Sequence, residues 1–167
     1  MLKGVSQMEI KKQLSPIGNY DPAIRDTGNI QYLVIHLLPE SAFGQTRITG
    51  TSVHYLVHEN VVLQTVPDEC TAWHCGTKGI YAHPFCRNAN SLGLALCGVR
   101  DAAGHYTFLP LSLHTAAVLA AQLCHTYDIR HILRHYDVTH APCPEPFVRS
   151  RTAWQAFLAA IQQNKKA

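Results

Sequence analysis

The stretch that decides the fold of this chain runs from residue 132 to residue 146 and reads ILRHYDVTHAPCPEP. It places His135 directly after a short apolar run, and Cys143 follows eight residues later in a loop that contains three prolines. Because proline fixes its own backbone angle, this loop is stiff. An imidazole nitrogen and a cysteine sulfur are therefore able to converge on one point. Two ligands do not make a metal site, so a third has to come from elsewhere in the chain.

The third candidate ligand lies far upstream. His36 follows the apolar run Tyr32-Leu33-Val34-Ile35, and the chain then breaks at Pro39. Two strand ends and one rigid loop would present two nitrogens and one sulfur to a zinc ion. The fourth coordination position would stay open for water or substrate, which is typical of a catalytic rather than a structural site.

Length and composition predict one globular domain. The chain has 167 residues, of which 47% are hydrophobic and 15% charged, which argues against disorder. A formal net charge of +3 does not indicate a nucleic-acid partner.

No apolar run approaches the roughly 18 residues of a membrane span, and residues 1–13 lack the pattern of an export signal. We expect synthesis in the cytoplasm without a signal peptide, and nothing in the sequence demands more than a monomer.

Six cysteines leave their redox state open. Without an export signal the default is reduced thiols. Cys97 falls in a predicted strand and Cys124 in a predicted helix, where a small buried hydrophobic residue explains each. Cys70, Cys75 and Cys86 lie in one loop region, and for them a disulfide and incidental thiols are both possible.

The order of elements predicts an α/β fold, a single domain with a mixed central sheet flanked by helices. Residues 1–29 are expected to be an extended lead-in, and residues 30–167 the domain itself. The loop 39–52 should border whatever His36 faces, and the long polar and aromatic segment 67–90 is typical of functional loops. The predicted strands are 30–36, 53–58, 61–66, 91–98 and 129–134, the second and third forming a hairpin. The predicted helices are one of about four turns capped by Ser112 and a last one over residues 152–163.

Five pieces of the chain, in order, carry a family resemblance. They are Val34-Ile35-His36, Ser52-Val53-His54-Tyr55-Leu56-Val57, Ala72-Trp73-His74-Cys75-Gly76, Asn88-Ala89-Asn90-Ser91-Leu92-Gly93-Leu94, and His135-Tyr136-Asp137-Val138 with Ala141-Pro142-Cys143-Pro144. With these pieces the chain resembles the zinc-dependent N-acetylmuramoyl-L-alanine amidases, the group that includes phage T7 lysozyme and the peptidoglycan recognition proteins. The resemblance implies the T7 lysozyme-like amidase fold.

The resemblance also implies a site and a reaction. His36, His135 and Cys143 would bind Zn²⁺, and Tyr55 would lie beside the metal as a catalytic residue. The side chains that would line the groove for the peptide stem of peptidoglycan or its muropeptides are Trp73, His74 and Asn88. The reaction would be hydrolysis of the amide between N-acetylmuramic acid and L-alanine by a zinc-activated water.

Two positions depart from the family pattern. Some relatives carry a glutamate where this chain has Ala95, and the lysozyme-like members carry a lysine two residues before the cysteine ligand, where this chain has Ala141. Loss of one donor to a developing oxyanion costs about 10²–10³ in rate in other enzymes. His140 is adjacent and is a candidate to take the place of the lysine.

Three functions are compatible with the sequence. The first is a cell-wall hydrolase, either a phage endolysin, a wall-recycling enzyme or an antibacterial effector. It would act after release or export, or on imported wall fragments. The second is a module of the same fold that binds peptidoglycan without cleaving it. The third is a cysteine peptidase with Cys75 or Cys86 as nucleophile and His135 as base.

Overall fold

The structure is a computed structural model and describes residues 8–166. The first seven residues of the segment inspected for an export signal lie outside it. No helix within residues 8–166 combines the length and hydropathy that a membrane crossing requires. The strands are Glu9–Lys12 (β1), Tyr20–Asp21 (β2), Tyr32–Pro39 (β3), Tyr55–His58 (β4), Val61–Gln64 (β5), Thr71–Ala72 (β6), Ser91–Arg100 (β7), Tyr106–Thr107 (β8) and His131–Arg134 (β9). The helices are Pro110–Thr126 (α1), His135–Thr139 (α2), Glu145–Arg149 (α3) and Arg151–Lys165 (α4).

One mixed sheet organises the molecule and confirms the predicted fold class. Its strand order is β1-β5-β4-β7-β3-β9, with β8 added antiparallel to β7, and β2 pairs separately with β6. Strands β4 and β5 form the predicted antiparallel hairpin, whereas β4, β7, β3 and β9 run parallel to one another. Parallel strands end at the same edge of a sheet, so the residues at the ends of β3 and β9 are brought together.

The pairing register separates the two faces of the sheet. His36 pairs with Ala95, which pairs with Leu56, so these three side chains share one face. The neighbouring positions Ile35, Leu94 and Tyr55 share the other face, where they join the buried core formed with α1 and α4. Helices α1 and α4 therefore cover one side of the sheet, whereas Val138 of α2 packs with Tyr32 and Val34 on the face of His36, and the rest of that face is left for a site.

Helix α1 begins before its predicted cap. Its first residue is Pro110, whose fixed backbone angle suits the first turn and whose missing N–H costs nothing there. Ser112 is fully buried in the first turn, and its Oγ accepts a hydrogen bond from the backbone N–H of Glu59 at 2.8 Å. The prediction of Ser112 as the N-cap is wrong, because that hydroxyl ties α1 to the β4–β5 hairpin instead.

The segment before residue 30 is built into the fold more closely than an extended lead-in suggests. Strand β1 pairs parallel with β5, and β2 pairs with β6. Arg25 donates from its guanidinium to four backbone carbonyls, those of Asp68, Asn88, Ala89 and Ser91. This arginine therefore joins the N-terminal segment to the loop 67–90 and to the start of β7.

Candidate metal centre and groove

The structure brings the three predicted metal ligands together. His36 lies in β3, His135 is the first residue of α2 directly after β9, and Cys143 lies in the loop between α2 and α3. One ligand atom from each lies within 4.8 Å of the others. The adjacency of β3 and β9 places the histidines, and the backbone N–H of Leu37 donates to the Cys143 Sγ at 3.4 Å, which holds the thiol beside β3.

The hydrogen bond of His135 determines which of its nitrogens is free. Its Nε2 lies 3.0 Å from the backbone carbonyl of Cys75. A carbonyl only accepts, so Nε2 carries the proton and Nδ1 is left as the possible ligand atom. The loop that contains Cys75 therefore orients one of the three ligands from outside the cluster.

A chain of hydrogen bonds fixes His36 in the same way. The Ser91 hydroxyl donates to the carbonyl of Arg87 at 2.7 Å, so it accepts from the His74 Nε2 at 3.1 Å. The His74 Nδ1 then accepts from the His36 Nε2 at 2.9 Å, and the His36 Nδ1 is left free. Gly93 makes room for this arrangement, because a Cβ there would lie 2.8 Å from the His74 ring.

The electrostatics of the cluster suit metal binding. Burial, and then the neighbouring His135, lower the pKa of His36 well below its ordinary value, and burial lowers the pKa of His135. Both imidazoles are therefore neutral at pH 7, as ligands must be. Burial raises the pKa of the Cys143 thiol to about 11, so a metal ion would displace its proton on binding.

The loop that carries Cys143 is held at both ends. The backbone N–H of Tyr136 donates to the carbonyl of Cys143 at 2.7 Å. Asp137 accepts from the backbone and guanidinium of Arg134, and Arg134 also donates to the carbonyl of Phe147 in α3. Asp137 thus fixes the turn into α2 rather than orienting a metal ligand. These bonds set the distance between His135 and Cys143.

The three candidate ligands line a cavity of about 700 Å³. This volume falls in the range of small-molecule sites. Residues from the loop 39–52 form one wall, as the sequence predicts, and Gln13, Ser15 and Asn19 come from the N-terminal segment. Sequence reasoning missed these last three, because a short polar stretch carries no periodic signal.

The three predicted substrate-binding residues occupy different positions. Trp73 and His74 line the cavity, so their contact with a substrate stays a prediction. Asn88 is not among the described lining residues. Its Oδ1 accepts hydrogen bonds from the backbone N–H groups of His74 and Cys75, at 3.0 and 2.8 Å. Asn88 therefore supports the backbone of His74 and Cys75, and its direct contact with a substrate stays a prediction.

Tyr55 does not lie beside the candidate ligands. Its side chain is on the helix-covered face of the sheet, where its hydroxyl donates to the Asp68 carboxylate at 2.8 Å. Tyr127 donates to the same carboxylate at 2.5 Å. The prediction of Tyr55 as a catalytic residue is wrong for this structure, because the register places Leu56, not Tyr55, on the face of His36.

Tyr55→Phe is expected to lower stability without affecting chemistry at the candidate site. The Asp68 carboxylate loses one O–H donor while staying partly buried, which costs about 1–3 kcal/mol. Urea unfolding should show this loss, and the muropeptide hydrolysis that the resemblance implies should keep its turnover rate within about twofold of the parent, the scatter of a 0.4 kcal/mol change in barrier. A much larger fall in turnover with unchanged stability would return Tyr55 to the catalytic site.

His54 is fully buried, with its ring centroid 5.9 Å from that of the cavity-lining His74. Its Nδ1 accepts from the backbone N–H of Gly93 at 3.0 Å, and its Nε2 lies 3.2 Å from the carbonyl of Cys70. The guanidinium of Arg25 lies 3.1 Å from the same Nε2. Burial, and then the Arg25 charge, lower the pKa of His54 to about 3.

Because the pKa of His54 is lowered in the folded chain, we expect the free energy of unfolding to decrease as the pH is lowered. The unfolded chain takes up a proton on this residue below about pH 6.5, whereas the folded chain does not until about pH 3. Between these values each pH unit removes about 1.4 kcal/mol, or about 2 kcal/mol from pH 7 to pH 5. Urea unfolding with a chelator present should show this extra loss in the parent relative to His54→Asn.

Nuclear magnetic resonance gives a second readout that needs no variant. The ring signals of His54 should not titrate above about pH 4, because its pKa is lowered to about 3. Titration of this ring near pH 6 would contradict the prediction.

The cysteine peptidase reading is not supported. Cys75 and Cys86 are fully buried, and burial raises the pKa of Cys75 well above its ordinary value. His135 contacts the carbonyl of Cys75 and not its thiol. The hydrogen bond with Cys75 lowers the pKa of Cys86, but a nucleophile also has to reach its substrate, and both thiols are fully enclosed. His140 is exposed and is not among the described residues that line the cavity, so its replacement of the lysine stays a prediction.

Comparison with known proteins defines the class. The family model for N-acetylmuramoyl-L-alanine amidase matches residues 26–146, and the chain belongs to this family. A probable N-acetylmuramoyl-L-alanine amidase of Bacillus licheniformis is 33% identical over 111 residues, which are 64% of this chain and 30% of that protein. The N-acetylmuramoyl-L-alanine amidase CwlA of a Bacillus species is 26% identical over 159 residues, which are 88% of this chain and 60% of that protein.

Solved structures show the same fold. The catalytic domain of PlyG superposes with a TM-score of 0.74 at 22% identity, covering 96% of this chain and 97% of that domain. PlyL superposes with a TM-score of 0.71 at 22% identity, covering 92% of this chain and 97% of that structure. The chain spans 30% of the length of the first curated relative, so it corresponds to one part of that protein.

Proposed function

We propose that the chain is a zinc-dependent N-acetylmuramoyl-L-alanine amidase, which hydrolyses the amide between N-acetylmuramic acid and the L-alanine of the stem peptide. The observation that carries the proposal is the convergence of His36, His135 and Cys143 within 4.8 Å at the wall of a cavity. The membership of the chain in the amidase family supports the same reaction.

The donor set fits zinc. Two neutral imidazole nitrogens and one sulfur are the ligands that zinc prefers, and three protein ligands leave one position open. Zinc in such a site polarises the substrate carbonyl and lowers the pKa of bound water to about 7. The chain's own residues fix the ligands: the carbonyl of Cys75 holds His135, and His74 holds His36.

The cavity wall fits a muropeptide. Trp73 and His74 line the same cavity as the candidate ligands, and Arg47 is the one Asp, Glu, Lys or Arg side chain among the described lining residues. A single cation suits the carboxylates of a stem peptide, since opposite charges attract most strongly where water is partly excluded. The loop 39–52 and the N-terminal segment supply further hydrogen-bonding groups.

A second candidate is a module that binds peptidoglycan without cleaving it. Ala95 is fully buried beside His36, and Ala141 stands where the resemblance implies a lysine. Among the described lining residues there is no carboxylate, lysine or tyrosine that could assist the reaction. This observation favours a weak or absent turnover, although the three metal ligands are kept.

Mass spectrometry of purified muropeptides separates the two functions. The chain is incubated with muropeptides, with and without a chelator, and zinc is then added back. Peptides released with an L-alanine amino terminus, lost on chelation and restored by zinc, are the expected products. Tight muropeptide binding without any product, in protein that carries one zinc per chain, would favour the binding module.

A further inference from the structure

Two thiols meet in the wall behind the candidate metal centre. Cys75 and Cys86 lie in the segment between β6 and β7, with their sulfur atoms 3.9 Å apart. Neither has any exposed surface. They pack with Tyr32, Val34 and Val138 in a small apolar cluster. Within residues 8–166, the candidate metal ligands are His36, His135 and Cys143, so the two cysteines lie outside that group.

The backbone holds each cysteine in place. The N–H of Cys75 donates to the Asn88 side chain at 2.8 Å, and the N–H of Cys86 donates to the His83 ring at 3.0 Å. The Arg87 guanidinium donates to the carbonyl of Cys86 and stacks on Tyr81 with 4.1 Å to the ring centroid. The sulfurs therefore lie close together because the loop is ordered at both ends.

We propose that Cys75 and Cys86 form a disulfide when the chain folds in an oxidising medium, and that this bond fixes the backbone that orients His135. A sulfur–sulfur bond is about 2.05 Å long, so each sulfur has to move by about 0.9 Å from the observed 3.9 Å separation. Rotation of two side chains supplies this movement.

The oxidation is a thiol–disulfide exchange with a small-molecule disulfide such as oxidised glutathione. The thiolate of one cysteine attacks the glutathione disulfide and releases one glutathione thiolate. The second cysteine attacks the mixed disulfide and releases the other. The two cysteine protons end on two glutathione molecules, and the two electrons lost by the cysteines reduce the glutathione disulfide. Full burial means that exchange takes place before the segment packs, and the finished fold then shields the bond.

The bond matters to the site through the carbonyl of Cys75. That carbonyl accepts the Nε2–H of His135 at 3.0 Å, and the preceding residue, His74, accepts from His36. Groups that orient metal ligands in this way change metal affinity by about 10–100-fold when lost. We expect the oxidised form to bind zinc up to about tenfold more tightly than the reduced form. The bond itself does not depend on the proposed function, whereas its effect on zinc rests on that function's metal site.

The test is refolding of the parent chain from urea in a glutathione redox buffer, followed by alkylation and trypsin digestion without reduction. Trypsin cuts after Lys78 and Arg87, so Cys86 falls on the peptide 79–87, and Cys75 falls on the peptide 48–78 together with Cys70. A cross-link between these peptides that persists in Cys70→Ala is the expected result. Alkylated Cys75 and Cys86, or a cross-link that needs Cys70, would overturn the proposal.

Two further readouts compare undigested parent chain refolded in the glutathione buffer with parent chain refolded in dithiothreitol. The oxidised parent should unfold at a higher urea concentration than the dithiothreitol-reduced parent and should bind zinc more tightly by calorimetry. Cys86→Ala should remove both differences, whereas Cys97→Ala, which alters a buried cysteine in β7, should keep them. Equal zinc affinity of the two forms would overturn the effect on His135. A cross-link in protein without amidase activity would refute the proposed function alone.

Discussion

His135→Ala is expected to abolish tight zinc binding and to lower muropeptide hydrolysis by at least about 10³-fold. The substitution removes one of three ligand atoms that lie within 4.8 Å of one another. Loss of the metal removes several kcal/mol of transition-state stabilisation, and each 1.36 kcal/mol is a factor of ten in rate. Zinc content per chain and the initial rate of L-alanyl peptide release measure the two effects.

His125→Ala is the matched control for this substitution. His125 is exposed on α1, on the side of the sheet opposite the cavity, and it should affect neither zinc content nor rate. Cys143→Ala should reproduce the behaviour of His135→Ala, because the same set of ligands becomes incomplete. A His135→Ala variant that kept one zinc per chain and its activity would refute the assignment of His135.

Phe147→Ala is expected to cost about 3–5 kcal/mol of unfolding free energy. Phe147 is only 2% exposed, and its ring centroid lies 5.0 Å from Phe157, 5.2 Å from Phe108 and 5.3 Å from Trp154. The cavity left by the ring has little chance to collapse, because three other rings hold their positions around it. Urea unfolding at pH 7 measures the loss.

Phe85→Ala is the control for the loss of a phenyl ring. Phe85 is 70% exposed in the segment between β6 and β7, so removing its ring should change the unfolding free energy by less than about 0.5 kcal/mol. Similar losses in the two variants would show that the rings around Phe147 do not form a tightly packed core. Because α3 follows Cys143 closely, Phe147→Ala should also weaken zinc binding.

The convergence of the three candidate ligands was the most predictable part of the molecule. His36 and His135 follow apolar runs that form adjacent parallel strands, and the prolines around Cys143 indicate a rigid loop. Local patterns of this kind are visible in a single sequence. The hairpin of β4 and β5 was predictable for the same reason, since two short runs of strand-forming residues flank a two-residue turn.

The position of Tyr55 was not predictable from local pattern. Alternation along β4 places Tyr55 and Leu56 on opposite faces, but it does not tell which face meets His36. That choice depends on the pairing of β4 with β7 and of β7 with β3, and a shift of one residue would reverse it. Strand β1 was missed for a related reason: its four residues are all exposed and show no alternation of apolar and polar side chains.

The four hydrogen bonds from Arg25 determine how much of the chain has to be included when the domain is fused to another protein. A fusion protein trimmed to begin at residue 30 would lack that guanidinium. Four backbone carbonyls, three of them at residues 88–91, would then lose this hydrogen-bond donor. It would also open the cavity on the side of Gln13, Ser15 and Asn19. We propose that the smallest fragment able to carry the proposed activity into a fusion protein begins at β1. Shorter fragments would keep the candidate metal ligands but would lack the cavity wall formed by the N-terminal segment.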